Sequence, residues 1–241
     1  VLLKFIPASE LKKSYQVNGH FYTVTLENKE FLDCRSVLEI TEKESTPSDI
    51  NALSNKNPDA IFIMMNPGSS TPIKSVNNTI ARKDINKLKV SLVPTKPDVT
   101  QYQVMRVMHY CKWSHVRVLN ISDMRDPKSG KFTERFIDIE KRTNFIEHSI
   151  FSDQRSSELK SKLTANSNIH IICAWGVSTD LDPLINRCLK KVNINHVKGL
   201  LKQNSNDKYF HPLPTLQKDK ELWVNNMVTL LKSNKTLERN S

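Results

Sequence analysis

Glycine is scarce in this chain of 241 residues, with five in all, so each one marks a place where the backbone turns sharply or is closely approached. Cysteine is scarce as well. The four, Cys34, Cys111, Cys173 and Cys188, lie far apart and form no Cys-x-x-Cys pair. That spacing excludes a clustered zinc site, and it predicts a reduced cytoplasmic protein with no metal and no cofactor. No run of eighteen apolar residues occurs, so no segment is expected to span a membrane. The opening Val1-Leu2-Leu3-Lys4-Phe5-Ile6 lacks the basic lead and small-residue cleavage site of a secretory signal. No internal repeat is visible.

What the chain has in surplus is positive charge. Lys plus Arg number 36 against 25 Asp plus Glu, a formal net charge of +11. Acids dominate from Glu27 to Asp49, whereas Arg82, Lys83, Lys87, Lys89 and Lys96 face Asp84 alone. A second basic stretch holds Arg187, Lys190, Lys191, Lys198, Lys202 and Lys208. Clustered bases attract a polyanion by counterion release, which supports a nucleic-acid partner. A lysine-rich solvated surface would give the same composition.

Periodicity divides the chain. Residues 1–50 read as a β-rich extension: Tyr15-Gln16-Val17 and His20 to Thr25 alternate like paired strands, with Asn18-Gly19 suited to a hairpin turn between them. Arg35 to Thr41 reads as a third strand. Thr46-Pro47-Ser48-Asp49 offers a helix start capped by Ser48 or Asp49. From residue 51 to 232 apolar runs alternate with helical periods. Ala60 to Met65, His115 to Leu119, Ile169 to Trp175 and His196 to Leu201 read as strands. Gln101–Lys112, Thr133–His148, Gln154–Leu163, Asp180–Val192 and Lys218–Lys232 read as helices. This predicts an α/β fold, a three-layer α/β/α sandwich with a mostly parallel central sheet, plus an N-terminal β-hairpin extension. Residues 68–100 and 122–132 read as long loops, and 233–241 as a flexible tail. The expected oligomeric state is a monomer.

Ligands of open parallel sheets bind beyond the carboxyl ends of the strands. There stand Asn66-Pro67-Gly68-Ser69-Ser70, Asn120-Ile121-Ser122-Asp123, Trp175-Gly176 and His211-Pro212-Leu213-Pro214. Gly68, Gly176 and Gly199 fall at or near these places. Taken singly, each has a structural reading: a turn at Asn66, a capping Asn120, a core Trp175, a satisfied His211. Their order is what carries information.

That order resembles the uracil-DNA glycosylase superfamily. Ile63 to Ser70 resembles its first motif in the mismatch-specific form, with Asn rather than Asp before the proline. Val118-Leu119-Asn120 is similar to the strand whose Asn reads the base edge, and Ala174-Trp175-Gly176 to its Leu-Trp-Gly strand. His211-Pro212-Leu213-Pro214 is similar to its His-Pro-Ser-Pro motif. The chain also resembles a bacterial domain family with Asn-Pro-Ser-Thr and His-Pro motifs. The likeness covers about residues 58–232 through short motifs, and residues 1–50 and 72–100 have no counterpart in it.

The resemblance implies a DNA glycosylase, with single- or double-stranded DNA as partner, that flips a base and hydrolyses its N-glycosidic bond, leaving an abasic site. Asn66 would place the water and His211 would stabilise the departing base anion, both catalytic. Asn120 would read the base edge, with Pro67, Gly68, Ser69, Ser70 and Leu213 lining the substrate site. An amide cannot accept a proton as a carboxylate does, so Asp123 or Asp126 is expected to supply the missing base, and Asp123 is taken as catalytic. Leu213 or Leu216 would fill the gap left by the flipped base. Arg82, Lys83, Lys87, Lys89, Lys198 and Lys202 are the expected DNA contacts. Gly68, where strict uracil enzymes carry Tyr, and Leu213, where they carry Ser, imply a larger or modified pyrimidine. The absent carboxylate at position 66 leaves open a non-catalytic nucleic-acid-binding protein of this fold, or a nucleoside or nucleotide hydrolase.

Overall fold

The computed structural model describes residues 2–163 and 169–237. Among these residues nine strands form one mixed sheet, in the order β4-β6-β1-β2-β7-β3-β8-β9, with β5 paired to β1 off that path. The strands are β1 (Tyr15–Thr25), β2 (Phe31–Glu42), β3 (Ala60–Met64), β4 (Thr71–Pro72), β5 (Thr79–Ala81), β6 (Val93–Lys96), β7 (His115–Asn120), β8 (His170–Ala174) and β9 (Val197–Lys198). The helices are α1 (Ala8–Ser14), α2 (Val99–Cys111), α3 (Ser129–Thr143), α4 (Ser156–Lys162), α5 (Asp182–Leu189) and α6 (Gln217–Leu237).

The expectation of a mostly parallel sheet is overturned. β7, β3, β8 and β9 are mutually parallel. β2 joins β7 antiparallel, β1 joins β2 antiparallel, and β6 joins both β1 and β4 antiparallel. Two misread features produced the difference. Tyr15–Thr25 is one continuous strand, and the chain reverses instead through residues 26–30, where Lys29 takes a φ of 63°. Gly19 is not a turn residue. A Cβ there would stand 2.9 Å from the Phe21 ring and 3.1 Å from Thr95 Oγ1, so glycine admits the neighbouring strand β6. Residues 68–100 are also not a bare loop. They supply β4, β5 and β6, short strands interrupted by Pro72 and Pro94 and lacking any alternation long enough to read.

Within the parallel part, alternation sorts side chains onto two faces. Ile61 and Ile63 of β3 join a core with Phe132 and Phe136 of α3, Leu159 of α4 and Ile185 of α5. Ala60, Phe62 and Met64 join another with Leu11 of α1, Met105 and Met108 of α2, and Trp223 and Met227 of α6. In chain order the four parallel strands lie second, first, third, fourth, so the connection direction reverses between β3 and β8. Such a switch point opens a crevice at the strands' carboxyl ends. Met64 pairs in register with Asn120 on one side and with Ala174 on the other, so three strands deliver their following loops to one edge. α6 runs on through Leu237 into the expected tail, whose residues 238–241 lie outside the described residues.

Candidate active site

A cavity of about 360 Å³ opens at that edge. Met65, Asn66, Pro67 and Gly68 after β3 line it, as do Trp175 and Gly176 after β8, and His211 and Leu213 from the segment before α6. Gly68 and Gly176 both take positive φ, 65° and 107°, which lets the two strand ends turn away beside the opening. The His211 segment is pinned from two sides. Trp223 Nε1 donates to the Phe210 carbonyl at 3.0 Å, and Gln103 Nε2 of α2 donates to the Pro212 carbonyl at 2.9 Å.

The polar groups have defined orientations. Asn66 Nδ2 donates to the Asp126 carbonyl at 2.8 Å, leaving the amide oxygen as the end able to accept from a water or ligand. His211 Nδ1 accepts from the Leu213 N–H at 3.2 Å, which assigns the proton of the neutral ring to Nε2. Burial pushes the His211 imidazole down to about 4, so it is a neutral donor at neutral pH.

Among the lining residues that were not foreseen, two are charged. Arg35 of β2 is buried beneath the cavity. It donates to the Pro67 carbonyl at 3.2 Å and to Asn120 Oδ1 at 3.1 Å, while its Nε has no partner. Burial lowers its pKa to about 10. Asp98, the N-cap of α2, also lines the cavity, and burial raises its pKa against backbone hydrogen bonds and the attraction of Arg35. The Asp98-x-x-Gln101 spacing was a legible signal for the cap. Nothing in the pattern of β2 distinguishes Arg35.

Other expected site residues lie elsewhere. Asn120 is buried behind Arg35 and does not line the cavity; its Nδ2 has no partner. Asp123 is a buried structural carboxylate, bonded by Tyr22 Oη and Arg155 Nη1 at 2.7 Å each, and absent from the cavity wall. Asp126 does line it, with Oδ1 closing a turn onto the Lys128 N–H at 2.9 Å. Ser70 is buried and its hydroxyl donates to the Lys96 carbonyl at 3.2 Å. Ser69 is exposed and lines an adjoining shallow groove with Gly68, Thr71, Arg125, Pro127 and Arg135.

None of the six expected DNA-contacting bases lines either space. Arg82 is committed inward, donating to the Thr143 and Asn144 carbonyls at 2.7 and 2.8 Å and pairing with Glu147. Lys87 pairs with Asp84 at the surface, and Lys198 Nζ stands 3.2 Å from His170 Nδ1. Lys83, Lys89 and Lys202 are exposed. Among the described residues no group of His, Cys, Asp and Glu could hold a metal ion, and no helix is long and apolar enough to cross a membrane.

No protein-family model, curated protein or solved structure matches the chain.

Proposed function

We propose that this protein is a DNA glycosylase that hydrolyses the N-glycosidic bond of a flipped, modified pyrimidine and leaves an abasic site. The observation that carries the reading is the meeting of Asn66, Gly68, His211 and Leu213, distant in sequence, in one cavity at the switch point of the parallel strands. At about 360 Å³ the cavity falls within the roughly 300–1,000 Å³ of small-molecule sites, a size suited to one extruded base.

Cleavage builds positive charge on the sugar and negative charge on the base. The Asn66 amide oxygen holds a water near the sugar carbon, and the neutral Nε2–H of His211 donates to the base as it becomes anionic. Arg35, buried under the same wall, adds a fixed positive field to the cavity. Asn120 does not reach the base; its oxygen accepts from Arg35 and helps seat that guanidinium beneath the cavity. Leu216, 64% exposed, is better placed than the partly buried Leu213 to enter the duplex as a wedge. Ser69, Thr71, Arg125 and Arg135 in the adjoining groove suit the phosphates flanking the extruded nucleotide. Cys34, Cys173 and Cys188 are buried free thiols, which suits a cytoplasmic protein.

The test is abasic-site formation on single- and double-stranded oligonucleotides carrying deoxyuridine or 5-substituted deoxyuridines, revealed by alkali. Asn66→Ala and His211→Ala are each expected to lower kcat, the latter by roughly 10²–10³. Cleavage by the wild-type protein that both substitutions leave untouched removes this site assignment, and binding that ignores salt removes DNA as the substrate.

A further inference from the structure

The base-excision reading leaves one chemical gap. A water held by an amide oxygen still has to lose a proton, and Asn66 cannot take it. A carboxylate from a different part of the chain stands in the same cavity. Asp98 begins α2 with a reciprocal cap: its side chain accepts from the Gln101 N–H at 3.0 Å, and its own N–H donates to Gln101 Oε1 at 3.2 Å. The carboxylate also reaches the loop after β3. A Cβ built on Gly68 would lie 3.1 Å from Asp98 Oδ2, so the missing side chain at 68 is what lets this oxygen approach the Asn66-Pro67-Gly68 turn. Asp98 is only partly buried, and it shares the cavity wall with Asn66 and His211.

We propose that Asp98 is the general base of this site, taking the proton of the water that Asn66 positions. This rests on the base-excision reading and completes it. As the water oxygen bonds to the anomeric carbon, one water proton passes to the Asp98 carboxylate, the carbon–nitrogen bond breaks, and its electron pair leaves on the base. The base anion, bonded by His211, then takes a proton from Asp98, so the net change is addition of one water across the bond.

Asp126 is the other carboxylate on the wall. Its carbonyl accepts from Asn66 Nδ2 and its Oδ1 from the Lys128 N–H, and the Asp126→Asn variant separates its role from that of Asp98. The charged and titratable groups sharing the cavity with Asp98 are Arg35, His211 and Asp126. Removal from water is the largest influence on the Asp98 carboxyl and raises its proton affinity, the direction a general base requires. The backbone N–H of Gln101, the Arg35 guanidinium, and the backbone N–H groups of Thr100 and Ser70 pull the other way.

Asp98→Asn is the decisive variant. Asn caps a helix about as well as Asp, so α2 keeps its start while the basic oxygen is lost. On the deoxyuridine-type oligonucleotide that the wild-type protein cleaves fastest, kcat is expected to fall by roughly 10²–10⁴ with KM little changed. The wild-type rate should decline as pH drops through the raised pKa of Asp98, and that acid limb should vanish in Asp98→Asn. Asp98→Ser, which also caps, serves if Asp98→Asn melts early. Adding Asn66→Asp to Asp98→Asn should return part of the rate by placing a carboxylate on the opposite side of the water. A kcat within a few-fold of wild type in both Asp98 variants, with the acid limb intact, overturns the assignment to Asp98 even where Asn66→Ala and His211→Ala are inactive. An equal loss confined to Asp126→Asn overturns it in favour of that residue. Wild-type protein that forms no abasic sites on any of the oligonucleotides overturns both the base-excision reading and this role.

Discussion

Three glycine-to-alanine substitutions should separate into a fixed rank of stability. At Gly68 the backbone sits at φ 65°, and an L residue held there pays roughly 1–2 kcal/mol in steric energy. The new methyl also comes within 3.1 Å of Asp98 Oδ2, tight enough that the carboxylate must shift. At Gly199 the dihedral is ordinary but the space is not. A Cβ would meet Tyr209 Cδ1 at 2.4 Å and the Cys173 carbonyl oxygen at 2.5 Å. Cys173 belongs to the buried strand β8 and cannot retreat, so overpacking of about 1–3 kcal/mol or more is expected. Gly130 is the control. It lies in the first turn of α3 with nothing within 4 Å of a Cβ, so alanine should stabilise the helix by about 0.5–1 kcal/mol. For a protein of this size 1 kcal/mol moves Tm by about 2–4 °C. Gly130→Ala should therefore melt about 1–4 °C higher than wild type, and Gly68→Ala about 2–8 °C lower. Gly199→Ala should be the least stable of the three. Circular dichroism melts of the purified proteins at one pH decide it. Gly68→Ala melting with or above wild type would refute the claim that this turn needs glycine.

Two further outcomes concern buried charge. Arg155 bonds Asp123 at 2.7 Å and Glu158 at 2.8 Å with no solvent exposure of its side chain. Arg155→Met should therefore lose about 3–5 kcal/mol in urea unfolding at pH 8. Burial already raises the Asp123 carboxyl to about 6, so the folded state binds a proton before the unfolded state does. Acidification should narrow the Arg155→Met deficit, and a deficit that widens below pH 6 would contradict the cause given. His20 works in the opposite sense. Burial lowers its imidazole to about 4, beside Ser36 Oγ at 2.7 Å. Its contribution is complete above the unfolded value of about 6.5 and drains as pH falls from there towards 4, by about 3 kcal/mol in all. His20→Gln should flatten the stability profile between those limits, and an unchanged slope there would refute the assignment.

The sequence carried the parallel strands well and the rest of the sheet poorly, for physical reasons. Ala60 to Met65 is apolar without interruption and Ile169 to Trp175 is broken only by His170, because helices cover both faces of these strands. Asn18-Gly19 has the composition of a hairpin turn, yet both residues lie within β1, since glycine serves close strand approach as readily as reversal. β4, β5 and β6 run for two to four residues, too short for a period to appear. At the site, Asn66, Gly68, His211 and Leu213 were legible because they follow strands or stand in a motif. Asp98 and Arg35 were not, because a cavity wall is built by tertiary folding from residues whose local patterns speak of a helix cap and a β-strand. Asp123 was misjudged for the converse reason. Its place just past β7 suggested access, while its side chain turns inward to Tyr22 and Arg155.

The seating of Arg35 in β2 binds the first fifty residues to the chemistry. A shortened chain lacking them would surrender an inner member of the sheet, the antiparallel neighbour of β7, and with it the cation under the cavity. Asn120 and the Pro67 carbonyl would then each lose the donor that Arg35 gives them. Changes near the amino terminus should accordingly register at the mouth of the cleft, and selection on the pocket should extend to a segment whose own sequence gives no hint of it.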